Sequence, residues 1–340
     1  DQCTACFATA TSSFAFIQTM NYSEIHSAKS RLDMPERPFI RQTPLWRLPG
    51  KLLGVNCAEV WLKLEHLQVS GSFKARGMMN RLLSQPIPAS GVIVASGGNA
   101  GIATAAAARA LGVRCEVFVP TVSTEAKRAK LRELGAELVV TGAAYGDALQ
   151  ACLARQAESG ALMTHAYDQP EVVAGAGTLA LEIADQAGDV PNAVLVSVGG
   201  GGLIAGLALG FAGLKNGNTE GKAKVIALEP ENAPTLHAAR QAGQPVDVAV
   251  SGVAADSLGA KRIGNIAWDI SQAHVHDALL LPDSAISEAQ KWMWKELRLA
   301  VEPAAALPLA ALRAGIYVPG LNERICLVVC GGNVDPATLA

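Results

Sequence analysis

The sequence has no excess of positive charge. Its 340 residues include 28 Lys and Arg against 30 Asp and Glu, which gives a net charge of −2. Proteins that bind nucleic acid neutralise phosphates with a basic surface, so nucleic-acid binding is not expected as the main function. Charged residues are scarce, at 17% of the chain, whereas 50% of the residues are hydrophobic. A chain of this composition buries a large core and is not disordered throughout.

The sequence also lacks the pattern of a disulfide framework. An even set of closely spaced cysteines is typical of small secreted proteins. Here seven cysteines, an odd number, are scattered through a long chain: Cys3, Cys6, Cys57, Cys115, Cys152, Cys326 and Cys330. This usage is typical of reduced cysteines, and we expect a cytoplasmic protein. The CxxC at residues 3–6 lies outside any βαβ pattern and is interpreted as neither a redox nor a metal site.

A signal-peptide pattern is missing from the beginning of the chain. The first residues include no starting Met and no positively charged segment, and the apolar run at 14–17 is too short. Met20 precedes a helix start at 21–24. We therefore expect residues 1–19 to be a non-native or disordered tail without a function.

An uncharged stretch runs from 190 to 214 and is long enough to cross a membrane. Its four consecutive glycines, Gly199 to Gly202, argue against one continuous helix, because each costs about 1 kcal/mol there relative to Ala. The stretch is better explained as a buried strand, a glycine loop and a buried helix. A soluble protein without a membrane partner is predicted.

Short β-branched, apolar runs alternate with helical stretches almost throughout the chain. The predicted strands are 60–64, 91–95, 115–119, 137–140, 193–198, 224–228 and 325–329, and the predicted helices are 73–83, 100–111, 125–134, 144–157, 172–186, 204–214 and 287–295. This alternation predicts an α/β protein with parallel sheets covered by helices on both faces. The length suggests about two domains, although no repeat, low-complexity tract or linker divides the chain.

Three glycine-rich junctions come where a predicted strand gives way to a helix. They are 70–74 (SGSFK), 96–101 (SGGNAG) and 199–202 (GGGG). Helix N-termini present unpaired N–H groups and the positive end of the helix dipole, so such junctions can bind anions. None of them reads GxxxxGK[ST], which excludes a P-loop nucleotidase. The alternative for each is a tight turn that merely needs glycine.

The tetraglycine junction has a second interpretation. Gly200-x-Gly202-x-x-Ala205 fits the GxGxxA of a dinucleotide-binding loop, and Glu229 ends the next predicted strand. However, Glu229 lies further along the chain than the usual ~20 residues, and Pro230 follows it at once. An NAD(P)-binding oxidoreductase therefore stays open as an alternative of a different class.

Lys74 is unusual for a helical lysine. We predict it in the first turn of a helix capped by Ser72, where the helix dipole disfavours a cation. Phe73 and the small loop before it would also shield the amine from water. Both effects lower a lysine pKa and make the amine nucleophilic enough for Schiff-base chemistry, although most lysines are simply solvated. A nucleophilic lysine together with cradles for a phosphate and a carboxylate suits pyridoxal phosphate holding an amino acid.

These residues carry a family resemblance. Lys63-x-Glu65-x-x-Gln68-x-x-Gly71-Ser72-Phe73-Lys74-x-Arg76-Gly77 resembles the lysine motif of fold-type II pyridoxal-phosphate enzymes, and specifically of the serine/threonine dehydratase family. The resemblance extends from residue 43 to the C-terminus and includes SGGN at 96–99, the four glycines, VIALEP at 225–230, Glu302-Pro303 and CGGN at 330–333.

The resemblance implies a tryptophan synthase β-like fold with two open, mostly parallel sheets. Residues 20–85 and 169–340 would form the large, cofactor-binding domain. Residues 86–168 would form an inserted small domain that carries the asparagine loop. A homodimer is implied as well. Because the chain stops at Ala340, soon after CGGN, we expect a catabolic enzyme without a regulatory domain.

The resemblance also implies the roles of individual residues. Lys74 would hold pyridoxal phosphate as a Schiff base and Phe73 would pack against the ring. Asn99 would bind the 3′-oxygen of the ring, and Cys330 would face its nitrogen. The phosphate would be held by Gly199, Gly200, Gly201 and Gly202. The substrate carboxylate would be bound by Ser96, Asn99 and Ala100. The site would be supported by Glu302 and Asn333.

A cation loop is implied by Glu229, Ala233 and Thr235. The family's racemases have Asp where this chain has Thr235, and the loss of a carboxylate favours a monovalent ion such as K⁺ over Mg²⁺. A plain loop without an ion is the alternative.

The implied activity is β-elimination from a 3-hydroxy amino acid, most simply L-serine or L-threonine, to a 2-oxo acid and ammonia. After the substrate amine displaces Lys74, the freed lysine would remove the α-proton. Dehydratases of 3-hydroxyaspartate or phenylserine, and a non-catalytic pyridoxal-phosphate-binding relative, are alternatives. O-acetylserine-type β-replacement is another, but its usual Thr-Ser-Gly-Asn-Thr loop is absent. Racemases of the family have a second serine where this chain has Gly97, so weak racemization is expected. Ala100 stands where many biosynthetic threonine dehydratases and racemases have His.

Overall fold

The computed structural model describes residues 20–33, 39–214 and 223–339, and these residues contain two β-sheets. The larger sheet has six strands: β1 (Leu45–Pro49), β2 (Glu59–Lys63), β7 (Ala193–Ser197), β8 (Lys224–Pro230), β9 (Asp277–Leu281) and β10 (Arg324–Val328). Their order is β1-β2-β10-β7-β8-β9. β1 runs antiparallel to β2, and the other pairs are parallel.

The smaller sheet is parallel throughout. Its strands are β3 (Val92–Ala95), β4 (Cys115–Val119), β5 (Glu137–Val140) and β6 (Leu162–Met163), in the order β5-β4-β3-β6. All four lie within the predicted small domain, 86–168. The exact domain boundaries stay a prediction, since Leu32, Met79 and Leu82 from outside that range pack into the core of the small sheet.

Eleven α-helices cover the two sheets in the described part of the chain. They are α1 (Tyr22–Leu32), α2 (Lys74–Leu83), α3 (Asn99–Leu111), α4 (Glu125–Glu133), α5 (Tyr145–Ser159), α6 (Pro170–Ala187), α7 (Gly202–Gly213), α8 (Thr235–Ala242), α9 (Asn265–His274), α10 (Asp283–Leu297) and α11 (Pro303–Arg313). The predicted α/β class with two mostly parallel sheets is confirmed. Each of the predicted strands and helices is present, with small shifts of its ends.

Several elements were not predicted, and the sequence obscures them for physical reasons. β1 is an edge strand that contains Pro49, and β6 is only two residues long. α11 has Pro308 in its interior, where proline normally breaks a helix, although Pro303 at its start is favourable. β9, α8 and α9 were missed as well.

The uncharged stretch at 190–214 folds as predicted, into β7, the glycine loop and α7. Within the described residues, no helix combines the length and the apolar character needed to cross a membrane. The tail at 1–19, with Cys3 and Cys6, lies outside the described residues. The five cysteines that the structure describes are all free thiols.

A buried network of charged side chains connects β2, α2 and α6. The Arg76 guanidinium donates to both oxygens of Glu65 at 2.8 Å and lies 2.9 Å from a Glu182 oxygen. The Lys63 amine donates to the other Glu182 oxygen and to the Thr43 carbonyl oxygen. Two cations thus face two carboxylates in a region where Lys63, Glu65 and Arg76 are almost completely shielded from water.

The backbones of α2 and α6 touch, because glycine stands on both sides of the contact. A Cβ atom at Gly77 would lie 2.7 Å from the Val172 carbonyl oxygen, and one at Gly175 would lie 2.5 Å from the Arg76 carbonyl oxygen. The close packing and the ion network together hold the start of α2, where Lys74 lies, in a fixed position.

Replacing Glu65 by Gln is expected to reduce the free energy of unfolding by about 3 kcal/mol, because it removes one carboxylate that balances the buried Arg76 charge. Urea denaturation followed by circular dichroism measures the loss. Glu125→Gln is the control, because Glu125 pairs with Arg132 on the exposed surface and such pairs contribute about 0–1 kcal/mol. Equal effects of the two substitutions would contradict the importance of the buried network.

Candidate active site

A cavity of about 500 Å³, including its open mouth, lies at the carboxyl ends of β7 and β10. In parallel α/β sheets this edge is the usual position of ligand sites. The start of α2, α3, α7 and α11 contributes residues to it. The lining consists of Phe73, Lys74, Asn99, Tyr167, Ser197, Gly199, Gly200, Gly201, Gly202, Leu203, Ser257, Leu258, Glu302, Ala304 and Cys330.

Lys74 is the first residue of α2, and its amine points into this cavity. The amine donates a hydrogen bond to the Ala166 carbonyl oxygen and lies 5.0 Å from the centre of the Phe73 ring. Burial of the amine lowers the pKa of Lys74 to about 8, against a smaller opposite effect of Cys330. A substantial fraction of the amine is therefore unprotonated slightly above neutral pH, as the sequence-based argument requires.

The predicted N-cap of α2 is wrong. The residue before the helix is Phe73, which makes no side-chain capping bond, and the Ser72 hydroxyl is buried without a hydrogen-bond partner among the described residues. Ser72 has an extended backbone and pairs instead with Gly331. The first N–H groups of α2 therefore lack the side-chain cap that was expected of Ser72.

The tetraglycine loop leads directly into α7, and side chains do not fit in it. A Cβ atom at Gly200 would lie 2.2 Å from the Tyr167 ring, and one at Gly201 would lie 2.5 Å from the Cβ of Ala267. Gly201 also has a positive φ of 88°, which disfavours other residues. The loop therefore brings backbone, including the N–H groups that a helix start leaves unpaired, into contact with the cavity.

Asn99, Glu302 and Asn333 form a connected polar group. The Asn99 amide nitrogen donates to the two Glu302 oxygens at 3.0 and 2.9 Å, and the Asn333 amide nitrogen donates to the Asn99 oxygen at 2.7 Å. Burial raises the pKa of Glu302 to about 7, and the charge of Asp256 adds to this effect, whereas the Asn99 hydrogen bond opposes it. Glu302 is thus a carboxyl group that exchanges its proton near neutral pH.

Cys330 lies two residues after the end of β10, and it is 6% exposed. Burial raises the pKa of its thiol to about 12, so the thiol keeps its proton near neutral pH. A neutral, weakly acidic group therefore lies where the resemblance expects the partner of a ring nitrogen.

Two residues expected to hold a carboxylate take other positions in the structure. Ser96 and Ala100 do not contribute to the cavity lining. The Ser96 hydroxyl accepts a hydrogen bond from the Gly98 N–H, so it orders the loop that leads into α3. Ala100 is buried within the first turn of α3. Their predicted role in carboxylate binding stays a prediction.

The predicted cation loop forms part of the start of α8. The Glu229 carboxylate accepts hydrogen bonds from the N–H groups of Leu236 and His237 at 2.7 and 2.8 Å. The Thr235 hydroxyl lies 3.0 Å from the same carboxylate and 2.5 Å from the Gly199 carbonyl oxygen. Glu229 therefore stabilises a helix N-terminus behind the glycine loop. The described residues contain no group of three or more His, Cys, Asp or Glu side chains placed to hold a metal, and K⁺ binding stays a prediction.

Six cavity residues were not anticipated from the sequence: Tyr167, Ser197, Leu203, Ser257, Leu258 and Ala304. They lie in loops, at a strand end or in the first turn of a helix, and they belong to no recognisable motif. Tyr167 stands between a strand and a helix that begins with Pro170. This position alone does not predict a site residue, because many aromatic residues lie in such loops. Only the folded chain brings these residues to the cavity.

The chain belongs to the pyridoxal-phosphate-dependent enzymes, because residues 36–331 match the family described as "Pyridoxal-phosphate dependent enzyme". The family expected from the sequence motifs is therefore confirmed.

Within this family the chain is similar to several dehydratases. It is 36% identical over 94% of its length to an L-threonine ammonia-lyase of Geobacter sulfurreducens, of which it covers 77%. It is 31% identical over 92% of its length to a beta-hydroxyaspartate dehydratase of Paracoccus denitrificans, of which it covers 96%. The solved structure of the T.th. threonine deaminase superimposes with a TM-score of 0.83 at 34% identity, covering 93% of this chain and 99% of that one.

The residues of the cavity suit pyridoxal phosphate. A lysine amine of lowered pKa, a backbone cradle at the start of α7 and a neutral thiol line the same space. A Cβ atom on Gly200 or Gly201 would intrude on a neighbour, so the cradle depends on glycine. Lys74 would hold the aldehyde carbon, Gly199 to Gly202 the phosphate and Cys330 the ring nitrogen.

The Glu302→Gln variant is expected to gain stability relative to the wild type as pH rises. The pKa of Glu302 is raised above its ordinary value of 4.5 in the folded state. Stability from the protonated carboxyl is therefore fully present below pH 4.5 and is lost as pH rises to about 7. The difference in unfolding free energy should change by about 3 kcal/mol across this window, since each pKa unit corresponds to ~1.4 kcal/mol.

Urea denaturation of both proteins at pH 5 and pH 7.5 measures this change. Glu288→Gln is the matched control, because Glu288 is exposed on α10 and its replacement should have the same effect at both pH values. A constant difference between wild type and Glu302→Gln would show that Glu302 is ionised throughout this range.

Proposed function

We propose that this protein is a pyridoxal-phosphate-dependent ammonia-lyase that converts L-threonine or L-serine to a 2-oxo acid and ammonia. The observation that carries the proposal is the convergence of Lys74, the tetraglycine loop, Asn99 and Cys330 on one cavity. The names of the L-threonine ammonia-lyase and threonine deaminase relatives support the choice of reaction. We further propose that the protein is cytoplasmic, forms a homodimer and binds K⁺ at Glu229, Ala233 and Thr235.

When bound, pyridoxal phosphate would supply the electron sink that stabilises negative charge at the substrate α-carbon. Lys74 serves as the general base, because a pKa of about 8 leaves part of the amine free to take the α-proton at Nζ. The Ala166 carbonyl oxygen orients this amine through its hydrogen bond. The start of α7 would hold the phosphate, because the helix dipole there favours an anion.

Cys330 influences which reaction follows proton removal. A thiol with a pKa of about 12 is a poor proton donor to a pyridine nitrogen, whose charge a carboxylate would instead stabilise. Cys330 would therefore leave the pyridine ring of the bound cofactor a weaker electron sink, which would favour loss of the β-hydroxyl over transamination. The start of α3, at Asn99, would receive the substrate carboxylate through its unpaired N–H groups, and Ser96 orders the loop before it.

The charge of the cavity favours a substrate with a neutral side chain. Lys74 is the one lysine or arginine among the described lining residues, and the buried Glu302 carboxyl lines the same cavity. A second carboxylate, as in 3-hydroxyaspartate, would find no further cation there and would face Glu302. Because one relative is a beta-hydroxyaspartate dehydratase, 3-hydroxyaspartate is the second candidate substrate.

Release of 2-oxo acid from L-serine, L-threonine, 3-hydroxyaspartate and phenylserine tests the choice of substrate. We expect kcat/KM for L-threonine or L-serine to exceed that for 3-hydroxyaspartate at least about tenfold, the equivalent of ~1.4 kcal/mol in transition-state binding. A preference for 3-hydroxyaspartate would overturn this assignment. Dependence on added NAD(P) would indicate the oxidoreductase alternative.

Lys74→Ala should remove both the visible absorption band of the lysine-bound cofactor and 2-oxo acid release, because no other amine lines the cavity among the described residues. Absorption spectra of the purified protein and a coupled 2-oxo acid assay provide the measurements. Lys130→Ala on the exposed face of α4 is the matched control and should retain both properties. A Lys74→Ala protein that keeps its band and its activity would disprove the site.

Racemization of L-serine should be slower than elimination by about a hundredfold or more, since the chain has Gly97 where racemases have a second proton-transferring serine and such a group contributes about 10²–10⁴-fold. Chiral chromatography of the reaction mixture measures D-serine beside the 2-oxo acid. Comparable rates of the two products would show that another group replaces the missing serine.

A further inference from the structure

The loop between β6 and α6, residues 164–169, contacts both ends of the proposed cofactor site. We call it the crossover loop. Its Ala166 carbonyl oxygen accepts the hydrogen bond of the Lys74 amine. Its next residue, Tyr167, packs on the glycine loop so closely that a Cβ atom at Gly200 would lie 2.2 Å from the ring. One short segment therefore touches the lysine and the phosphate cradle.

Asp168 connects the crossover loop to α9. Its two carboxylate oxygens accept hydrogen bonds from the N–H groups of Asn265 and Ile266 at 3.1 and 3.0 Å. Gly264, the residue before α9, has no side chain that could cap the helix. Asp168 thus caps α9 from a distant part of the chain, and its negative charge suits the helix N-terminus.

α9 and its N-cap in turn support the glycine loop. A Cβ atom at Gly201 would lie 2.5 Å from the Cβ of Ala267, on the first turns of α9. The Gly264 N–H donates to the Gly200 carbonyl oxygen at 3.0 Å. Tyr167 and α9 therefore enclose the glycine loop from two sides, and Asp168 holds these two supports together.

The crossover loop is also fixed internally. The His165 Nδ1 atom accepts hydrogen bonds from the N–H groups of Tyr167 and Asp168 at 3.3 and 2.9 Å, which requires that Nδ1 carry no proton. Burial lowers the pKa of His165, and nearby Lys74 lowers it further against the opposing charge of Asp168. Burial raises the pKa of the Tyr167 phenol to about 12, so the phenol keeps its proton near neutral pH.

We infer that Tyr167 and Asp168 are positioning residues that set the separation between the Lys74 amine and the phosphate cradle. The Tyr167 ring holds the glycine loop in place and keeps water from its Gly200 side. Asp168 fixes the backbone next to Tyr167 and the start of α9 at the same time. This role rests on the cofactor site of the proposed function and is independent of which amino acid the enzyme converts.

The rate at which holoenzyme loses pyridoxal phosphate tests the inference directly. We expect Tyr167→Ala and Asp168→Ala to lose the cofactor at least about tenfold faster than the wild type, the equivalent of ~1.4 kcal/mol, because one removes a close aromatic contact and the other a charged helix cap. The ³¹P resonance of the bound phosphate should shift or broaden in both variants. Tyr167→Phe should stay within about twofold, since the phenol is 3.4 Å from its acceptor on Arg262 and the ring carries the contact.

Asp269→Asn is the matched control, because Asp269 is exposed on the same helix α9 and should leave cofactor loss and the ³¹P resonance unchanged. All rates are measured well below the melting temperature of each variant. Wild-type retention in both Tyr167→Ala and Asp168→Ala would overturn the inference, as would a Tyr167→Phe variant as impaired as Tyr167→Ala. If Tyr167→Ala does not fold, the rate of cofactor loss and the ³¹P resonance of Asp168→Ala test the inference. A wild-type holoenzyme that retains its cofactor but releases no 2-oxo acid would contradict the proposed function alone.

Discussion

The position of Lys74 depends on the buried contact between Arg76 and its two carboxylates, Glu65 and Glu182. Burying an arginine is unfavourable unless opposite charges and hydrogen bonds compensate it. Here the compensating groups come from the segment after β2 and from α6, so the charge balance is complete only when these elements and α2 are assembled. Since Lys74 lies two residues before Arg76, the same balance determines where the amine enters the cavity.

Burial acts on the titratable groups of the cavity in one consistent direction, toward their neutral forms. It lowers the pKa of Lys74 and raises those of Glu302 and Cys330. Lys74, with a pKa of about 8, keeps most of its positive charge at neutral pH, whereas Glu302 is only partly ionised and the Cys330 thiol is neutral. Helices α2, α3 and α7 all begin beside the cavity, and their unpaired N–H groups favour anions such as a phosphate and a carboxylate. The backbone therefore adds to the positive potential of Lys74.

Much of the fold and of the site could be predicted because its chemistry depends on short stretches of chain. The glycines at 199–202 follow an apolar strand and precede an apolar helix, which is enough to predict an anion cradle. Lys74 follows a small loop, which is enough to predict a shielded amine. Glu302 and Asn333 came only from the family resemblance, and Tyr167 was missed. Its importance lies in a contact with Gly200, on a distant part of the chain, and no local pattern encodes such a contact.

By itself, the sequence determined the α/β class, the strand–loop–helix interpretation of 190–214 and the family, and it predicted a nucleophilic lysine, because periodicity, glycine placement and motif order are local properties. The tertiary structure decided which groups meet. It left the Ser72 hydroxyl without a partner among the described residues, directed Glu229 to the start of α8, and placed Asp168 at the start of α9. Hydrogen-bond partners and desolvation depend on distances between chain segments that only the folded protein brings together.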